Sequence, residues 1–372
     1  MADGGPRFRP PRWARSGVAQ TLLGMTPFRT WGRNEMLQRS RSEVVRLQRG
    51  LSLEAHYSAQ VGRDARGLAI LLSGWEGHSG SPYMVSTGRT LFRNGYEVFR
   101  ITYPDHGDTQ DLNEAVFSLA MLDQIGEAIR RVASAIRTRP LFVVGFSMGG
   151  NLALNLACQG LPGLKAVFAV SPPLDLARSL GALEQSVFKL GFLRSVKCSL
   201  DRKQRFFPRR YDFSDLQESG SVGEMADGML SLGSEVALEH HAARYALGPA
   251  KLRRLTAPAY VVTSTDDPVI GPGAYAELRG IDRLSLHVQE RGGHVGFSLG
   301  LFRRAWYEDV LVQALEAHAP EAAEPRAEEA SARAPALTPA AGTAALNATP
   351  SPPPQALRPG SLPTRPLPAR RG

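Results

Sequence analysis

Six short apolar runs, each closed by a turn signal, constrain this chain more than any other feature of it. Leu68–Leu72, Tyr96–Tyr103, Leu141–Val144, Lys165–Val170, Ala259–Val262 and Leu284–Val288 predict buried strands. Between them lie stretches of helical character, at about 81–93, 114–137, 148–160, 272–279 and 301–317. Strands separated by helices pair in parallel through right-handed crossovers, so the expected fold is α/β, a doubly wound and mostly parallel sheet. Val44–Leu47 and Leu51–Tyr57 lie close together in the chain and are expected to form an antiparallel opening pair.

The alternation fails from Asp175 to about Lys251 and resumes at Pro258. An insertion of that size between two strands is expected to form a cap, about 175–255, over one end of the sheet. Its charge is divided: residues 178–210 hold nine basic and two acidic residues, and residues 211–250 hold one basic and seven acidic. Either the two halves neutralise each other, or the segment around Phe188–Arg194 is a basic amphipathic surface helix that touches anionic lipid.

The formal net charge of +9 raises nucleic acid as a partner, but its distribution argues otherwise. Ten Arg against three acids lie in residues 1–49, six Arg against four Glu in residues 320–372, and the body between them balances 28 basic with 28 acidic residues. A neutral body without a basic stripe is poor support for a nucleic-acid reader, and none is expected. The 372 residues are 43% hydrophobic, enough for a full core, and Pro and Gly cluster rather than repeat, which excludes a collagen-like or wholly disordered chain. Two cysteines, Cys158 and Cys198, make neither a disulfide framework nor a cysteine zinc site, so a reducing, cytoplasmic setting is expected. No apolar run is long enough to cross a membrane, and Val18–Met25 is too short and too polar for a secretory leader. Three regions are therefore expected. Residues 1–35 form an Arg/Pro-rich N-terminal arm, disordered or loosely packed on the body. Residues 36–318 form the α/β domain with its cap, and residues 319–372 an Ala/Pro-rich disordered tail. The Asn347 glycosylation sequon in that tail carries no weight without secretion.

The chemistry gathers at strand ends. Gly145-Phe-Ser147-Met-Gly149 follows the strand at Leu141 and precedes the helix that starts at about 148. A serine on so sharp a strand-to-helix turn needs small neighbours, and the turn surrounds its Oγ with backbone N–H groups at a helix N-terminus. A serine hydroxyl needs a base to take its proton and a third group to orient that base. Asp266-Asp267-Pro268 follows the strand at Ala259, and Gly292-Gly-His294-Val-Gly-Phe297 follows the strand at Leu284, in the chain order Ser, acid, His. Ser147, His294 and an aspartate are therefore the candidate catalytic residues. Asp267 is preferred over Asp266, because such acids usually lie three residues past the strand. The oxyanion of acyl transfer also needs backbone donors; the candidates are the N–H groups of Met148 and, in the loop Ser73-Gly-Trp75-Glu-Gly77, of Trp75.

These residues give the chain a resemblance to the α/β-hydrolases, and within them to the YheT-type branch of predicted esterases. The shared motifs are Gly74-Trp-Glu-Gly77, Ser81-Pro-Tyr83, Gly145–Gly150, Asp266-Asp-Pro268 and Gly292–Phe297, spread over roughly residues 45–315. Two positions depart from the branch: Ser73 replaces the usual histidine of the oxyanion loop, and Asp105-His-Gly-Asp108 replaces an Arg-Gly segment. His106 is thereby a candidate second base in the pocket, although a turn histidine is the plainer reading. His240 and His241 are adjacent, point apart and have no further ligands near them in sequence, so no metal site is expected there. The resemblance implies a serine hydrolase of carboxylic esters that works through an acyl-enzyme without cofactor or metal. The expected partner is a small ester with an acyl chain. Phe188, Phe192, Leu193, Phe206 and Phe207 of the cap are either its binding wall or the cap's own core. An acyltransferase that passes the acyl group to an alcohol, and a non-catalytic binding scaffold, are the competing functions. Peripheral membrane contact is expected through the arm or through the basic cap segment.

Overall fold

The strand-forming runs are apolar at successive positions, so they can be stable only with helices on both faces. The computed structural model describes residues 6–47, 50–135, 140–234, 236–271 and 273–319. In it the runs become β3 (Leu68–Leu72), β4 (Glu97–Thr102), β5 (Leu141–Phe146), β6 (Leu164–Val170), β7 (Ala259–Ser264) and β8 (Leu284–Gln289), preceded by β1 (Ser40–Arg46) and β2 (Ser52–Ser58). They form one sheet in the order β1-β2-β4-β3-β5-β6-β7-β8. The β1–β2 and β2–β4 pairs are antiparallel and the rest parallel.

Helices α1 (Gly17–Met25) and α2 (Glu35–Gln38) precede the sheet. Helices α3 (Pro82–Arg93), α4 (Leu122–Ala135) and α5 (Met148–Gln159) are crossovers. The β6–β7 connection is helical throughout: α6 (Leu176–Glu184), α7 (Lys189–Phe206), α8 (Ser214–Glu218), α9 (Val222–Ser231), α10 (Leu238–Tyr245) and α11 (Pro249–Leu252). Helix α12 (Tyr307–Glu316) follows β8. Leu68, Ile70 and Leu72 of β3 join a core under α4, α5 and the inserted helices, while Ala69 and Leu71 join a second core under α3 and α12.

Three helical expectations shrink. Of the helix expected at 272–279, the described residues 273–279 give only a 3-10 turn at Ala276–Leu278, bracketed by Gly273 and Gly280 in left-handed conformations. Residues 301–306 are not helical, because Ser298 and Ala305 pair in an isolated bridge and α12 starts after it. Residues 114–118 give up helical hydrogen bonds to hold Lys203. Its buried ammonium lies 2.8 Å from Asp105 Oδ1 and donates to the carbonyls of Gln110, Asn113 and Ala115, while Phe117 N–H donates to Asp105 Oδ2. This ties α7 to the loop after β4.

The arm is neither disordered nor loosely placed over its described part. Phe8, Ala14, Gln20, Thr21 and Arg29 are all buried. Arg29 lies 3.2 Å from Glu308 of α12 and donates to Tyr307 Oη, and Ser86 and Thr90 also donate to the Glu308 carboxylate. Once formed, a buried ion pair is costly to break by loss of one partner, so the Arg29–Glu308 pair fixes where the segment sits. Residues 1–5 and the expected tail from 320 on, the Asn347 sequon included, lie outside the described residues. Among the described residues no helix is long and apolar enough to cross a membrane.

Candidate active site

Strand β5 ends at Phe146 and α5 begins at Met148, so a single residue, Ser147, makes the whole turn. Its backbone takes φ 50° and ψ −123°, a conformation that costs a non-glycine residue about 1–3 kcal/mol. Ser147 N–H donates to Val170 O at 2.9 Å, which ties the turn to the end of β6. The flanking glycines make it sterically feasible: a Cβ on Gly149 would stand 2.4 Å from Ser73 O and 2.5 Å from Leu72 O.

The two other predicted side chains converge on this serine. Ser147 Oγ lies 2.9 Å from His294 Nε2, and His294 Nδ1 lies 2.9 Å from Asp267 Oδ2. With the ring proton on Nδ1 and donated to the carboxylate, Nε2 is left to accept the serine proton. Asp267 is almost fully buried and also accepts from the N–H groups of Val269 and Ile270 at 2.8 and 3.1 Å, which fixes its carboxylate. Asp266 points elsewhere: its Oδ1 accepts from Gly293 N–H at 2.9 Å. The adjacent acids thus divide between the histidine ring and the histidine's loop.

A family described as alpha/beta hydrolases matches residues 69–310. The chain belongs to the alpha/beta hydrolase family. It is 23% identical over 329 residues to "Putative esterase slr0264" of Synechocystis sp., covering 78% of this chain and 87% of that one. It is 21% identical over 337 residues to "Phospholipase ABHD3" of Homo sapiens, covering 84% and 80%. Among solved structures, 2,6-dihydroxy-pseudo-oxynicotine hydrolase superposes with a TM-score of 0.52 at 17% identity, covering 81% of this chain and 80% of that chain.

Within this alpha/beta hydrolase the predicted oxyanion residues border the same cavity as the serine. Met148 opens α5, where the first N–H groups lack intrahelical acceptors. The loop carrying Trp75 approaches so closely that a Cβ on Gly74 would stand 3.1 Å from Ser147 Cβ. Trp75, Met148, Ser147 and His294 all line one cavity of about 460 Å³, within the ordinary range for small-molecule sites. Its wall is mostly apolar, with Leu119, Leu176, Leu180, Phe188, Phe192 and Ile270 contributing. Trp75 packs edge-on against Phe117 and Phe192. Helical periodicity divides the apolar cap set that the sequence left undivided. Phe188 and Phe192, four residues apart, face the cavity. Leu193 is core, Phe206 is exposed, and Phe207 packs beneath the Lys203 ammonium.

One charged group faces the same cavity. Glu76, held by a turn with φ 62°, accepts from Ser195 Oγ of α7 at 2.6 Å. Burial pushes its carboxyl up to about 7, outweighing the Ser195 hydrogen bond and Arg202, which pull it down. His106 is not a pocket base. It is buried between Tyr103 and Phe117, its Nδ1 bonds to Pro104 O, and desolvation lowers its pKa to about 4, so it stays neutral. His240 and His241 lie on α10, where His241 pairs with Ser234, and no group of potential metal ligands gathers among the described residues.

Sequence reasoning missed the contribution of α1. His294 N–H donates to Thr21 Oγ1 at 2.8 Å, and Thr21 Oγ1 donates in turn to Gly17 O at 2.7 Å. Gln20 is fully buried and accepts from Ser298 N–H through Oε1. The contact is backbone to backbone. Gly293 has φ 59°, and a Cβ there would meet Gly17 O at 2.1 Å; one on Gly17 would meet Asp266 O at 1.9 Å. Thr21 and Gly24 also line the cavity. The only available signal was a pair of glycines two helical turns apart, Gly17 and Gly24, flanking Gln20-Thr21, and periodicity of large apolar residues does not register that.

Proposed function

We propose that the protein is a serine carboxylic-ester hydrolase of the YheT-type branch, acting on an ester with an acyl or lipid-like chain through an acyl-enzyme. The observation that carries this reading is the hydrogen-bonded line Asp267–His294–Ser147, opening into an apolar cavity. Esterase and phospholipase relatives support the reaction class, and the shared Gly74–Gly77, Ser81–Tyr83 and Gly292–Phe297 motifs support the branch.

In this mechanism Ser147 Oγ attacks the ester carbonyl as His294 Nε2 takes its proton. Asp267 accepts the Nδ1 hydrogen bond and stabilises the imidazolium. The N–H groups of Met148 and Trp75 bind the oxyanion, each such donor contributing about 3–4 kcal/mol of transition-state stabilisation. His294 returns the proton to the leaving alcohol, then activates water to release the acid from Ser147. The chain's own residues supply every group in this sequence, so no cofactor is called for. The wall around Phe188 and Phe192 receives the acyl chain.

The test compares wild type with Ser147→Ala on p-nitrophenyl esters of graded acyl length, with a fluorophosphonate probe alongside. The expected result is labelling and turnover in the wild type and a loss of about 10⁴-fold or more in the variant. A folded wild type that neither labels nor hydrolyses any ester would overturn the reading.

A further inference from the structure

Helix α1 is inverted. The face it buries carries Gly17, Gln20, Thr21 and Gly24. Its large apolar residues Val18, Leu22 and Met25 recur at i, i+4 and i+7 on the opposite face, 38, 52 and 57% exposed. The apolar surface continues into Trp31, 73% exposed, which packs edge-on against the exposed Phe302; Phe28 packs on the same ring. Single exposed apolar residues need no explanation, but a contiguous set on a helix with a polar buried face marks a contact surface.

Three observations select what it contacts. Residues 6–34 hold six Arg and no acid; Arg29 is committed to Glu308, and the other five are exposed. Trp13 and Trp31 both stand in solvent, and tryptophan is the side chain that prefers the boundary between water and lipid headgroups. Met25 belongs at once to this exposed face and to the lining of the Ser147 cavity. On the basic cap helix Phe188 and Phe192 are turned into the cavity, which leaves Val187 and Leu190 exposed at its start and Phe206 at its end, without an exposed tryptophan among them.

We propose that the exposed face of α1, with Trp31 and Phe302, docks on a bilayer surface carrying anionic phospholipid. The arginines supply the attraction and the apolar stripe enters the headgroup boundary. Docking stands independently of the catalytic reading. Entry of a membrane-borne ester at the Met25 edge of the cavity rests on it.

The test is flotation of the full chain carrying Ser147→Ala, which removes turnover from the measurement, with phosphatidylcholine vesicles lacking or containing phosphatidylglycerol. The chain is expected to float with the phosphatidylglycerol vesicles and to be released by salt. Leu22→Ser/Trp31→Ser is expected to weaken binding about tenfold or more. Arg12→Gln/Arg33→Gln is expected to weaken it about fivefold per arginine on anionic vesicles alone. Circular dichroism establishes that each variant is folded, and the arginine pair keeps the test decisive should the apolar pair misfold. A chain that stays unbound with phosphatidylglycerol vesicles, or folded variants that bind like the parent, would overturn the proposal. So would self-association in sedimentation velocity that the Leu22/Trp31 variant abolishes in the absence of vesicle binding, which would assign the face to a second copy. Failure of ester hydrolysis leaves the flotation result unaffected.

Discussion

The inserted helices between β6 and β7 and the segment before β1 are both additions to the same sheet, and each is held by one buried cation. Lys203 of α7 reaches Asp105 and three carbonyls behind β4; Arg29 reaches Glu308 of α12. Beyond the anchor they differ. The insertion turns Phe188 and Phe192 inward and walls the cavity, whereas the arm turns Gly17, Gln20 and Thr21 inward and leaves Leu22 and Met25 outside. A wall for an apolar group needs large side chains. A support that must approach the histidine loop backbone to backbone needs small ones, and its large residues are then displaced to the far face.

Asp266 and Asp267 sit where the two influences meet, and substituting them separates the regions most sharply. Asp267→Asn is expected to lower kcat about 10⁴-fold, since an amide that can donate replaces the acceptor-only carboxylate that sets the His294 tautomer. Asp266→Asn, on the arm side, is expected to cost about tenfold, because it loosens the Gly293 contact while leaving the ring's partner in place. Equal losses in steady-state kinetics would erase the division of labour.

The two anchors come next. Lys203→Met and Arg29→Met each leave a buried carboxylate uncompensated, at an expected cost of about 3–5 kcal/mol in urea unfolding. The cap variant should also shift acyl-length preference, and the arm variant should lower kcat for all lengths alike. A shared kinetic signature would show that the arm acts only through global stability.

Glu76 tests the cap side by pH. Its folded pKa, raised to about 7, exceeds the unfolded value near 4.5, so between those values the folded state holds the extra proton. Its contribution therefore favours folding at low pH and declines as pH rises from about 4.5 to 7. Glu76→Gln is expected to remove that decline and to stabilise the protein by about 2 kcal/mol above pH 7, allowing for its partial exposure to the cavity. Thermal unfolding of both proteins across that window checks it. An unchanged pH slope would mean that Glu76 is ionised and solvated.

An effect as small as that of Asp266 belongs to Thr21. Thr21→Val leaves the His294 N–H without its acceptor and is expected to lower kcat about tenfold with KM nearly constant. Thr21→Ser should restore it. Removing residues 1–35 cannot isolate a surface role for the arm, because it removes this support as well.

Much of the scaffold was legible in the chain. Runs such as Leu68–Leu72 and Ala259–Val262 sit in observed strands because a doubly covered strand must be apolar throughout, which leaves an unambiguous local mark. Ser147, Asp267 and His294 could be named as candidates because an open α/β sheet places its ligands where strands end, and the fold brings the three side chains into hydrogen-bonding contact. The choice of Asp267 depended on distance past the strand, and its bond to His294 agrees with it. The stretch 114–118 was not legible as a loop, since its Glu114 and Ala115 carbonyls accept from Tyr211 and Lys203, 97 and 88 residues further on.

The alternation of strands and helices, the turn at Ser147 and the candidate residue set follow from local pattern, because alternation, glycine placement and strand-end position are properties of neighbours in the chain. Which side chains of the insertion face the cavity, and that the arm packs at all, depended on pairings between distant segments. Thr21 lies 273 residues from His294 and Arg29 lies 279 from Glu308. Such contacts have no local periodicity, and a helix whose buried face is glycine and polar side chains becomes intelligible only when the loop it presses against is in place.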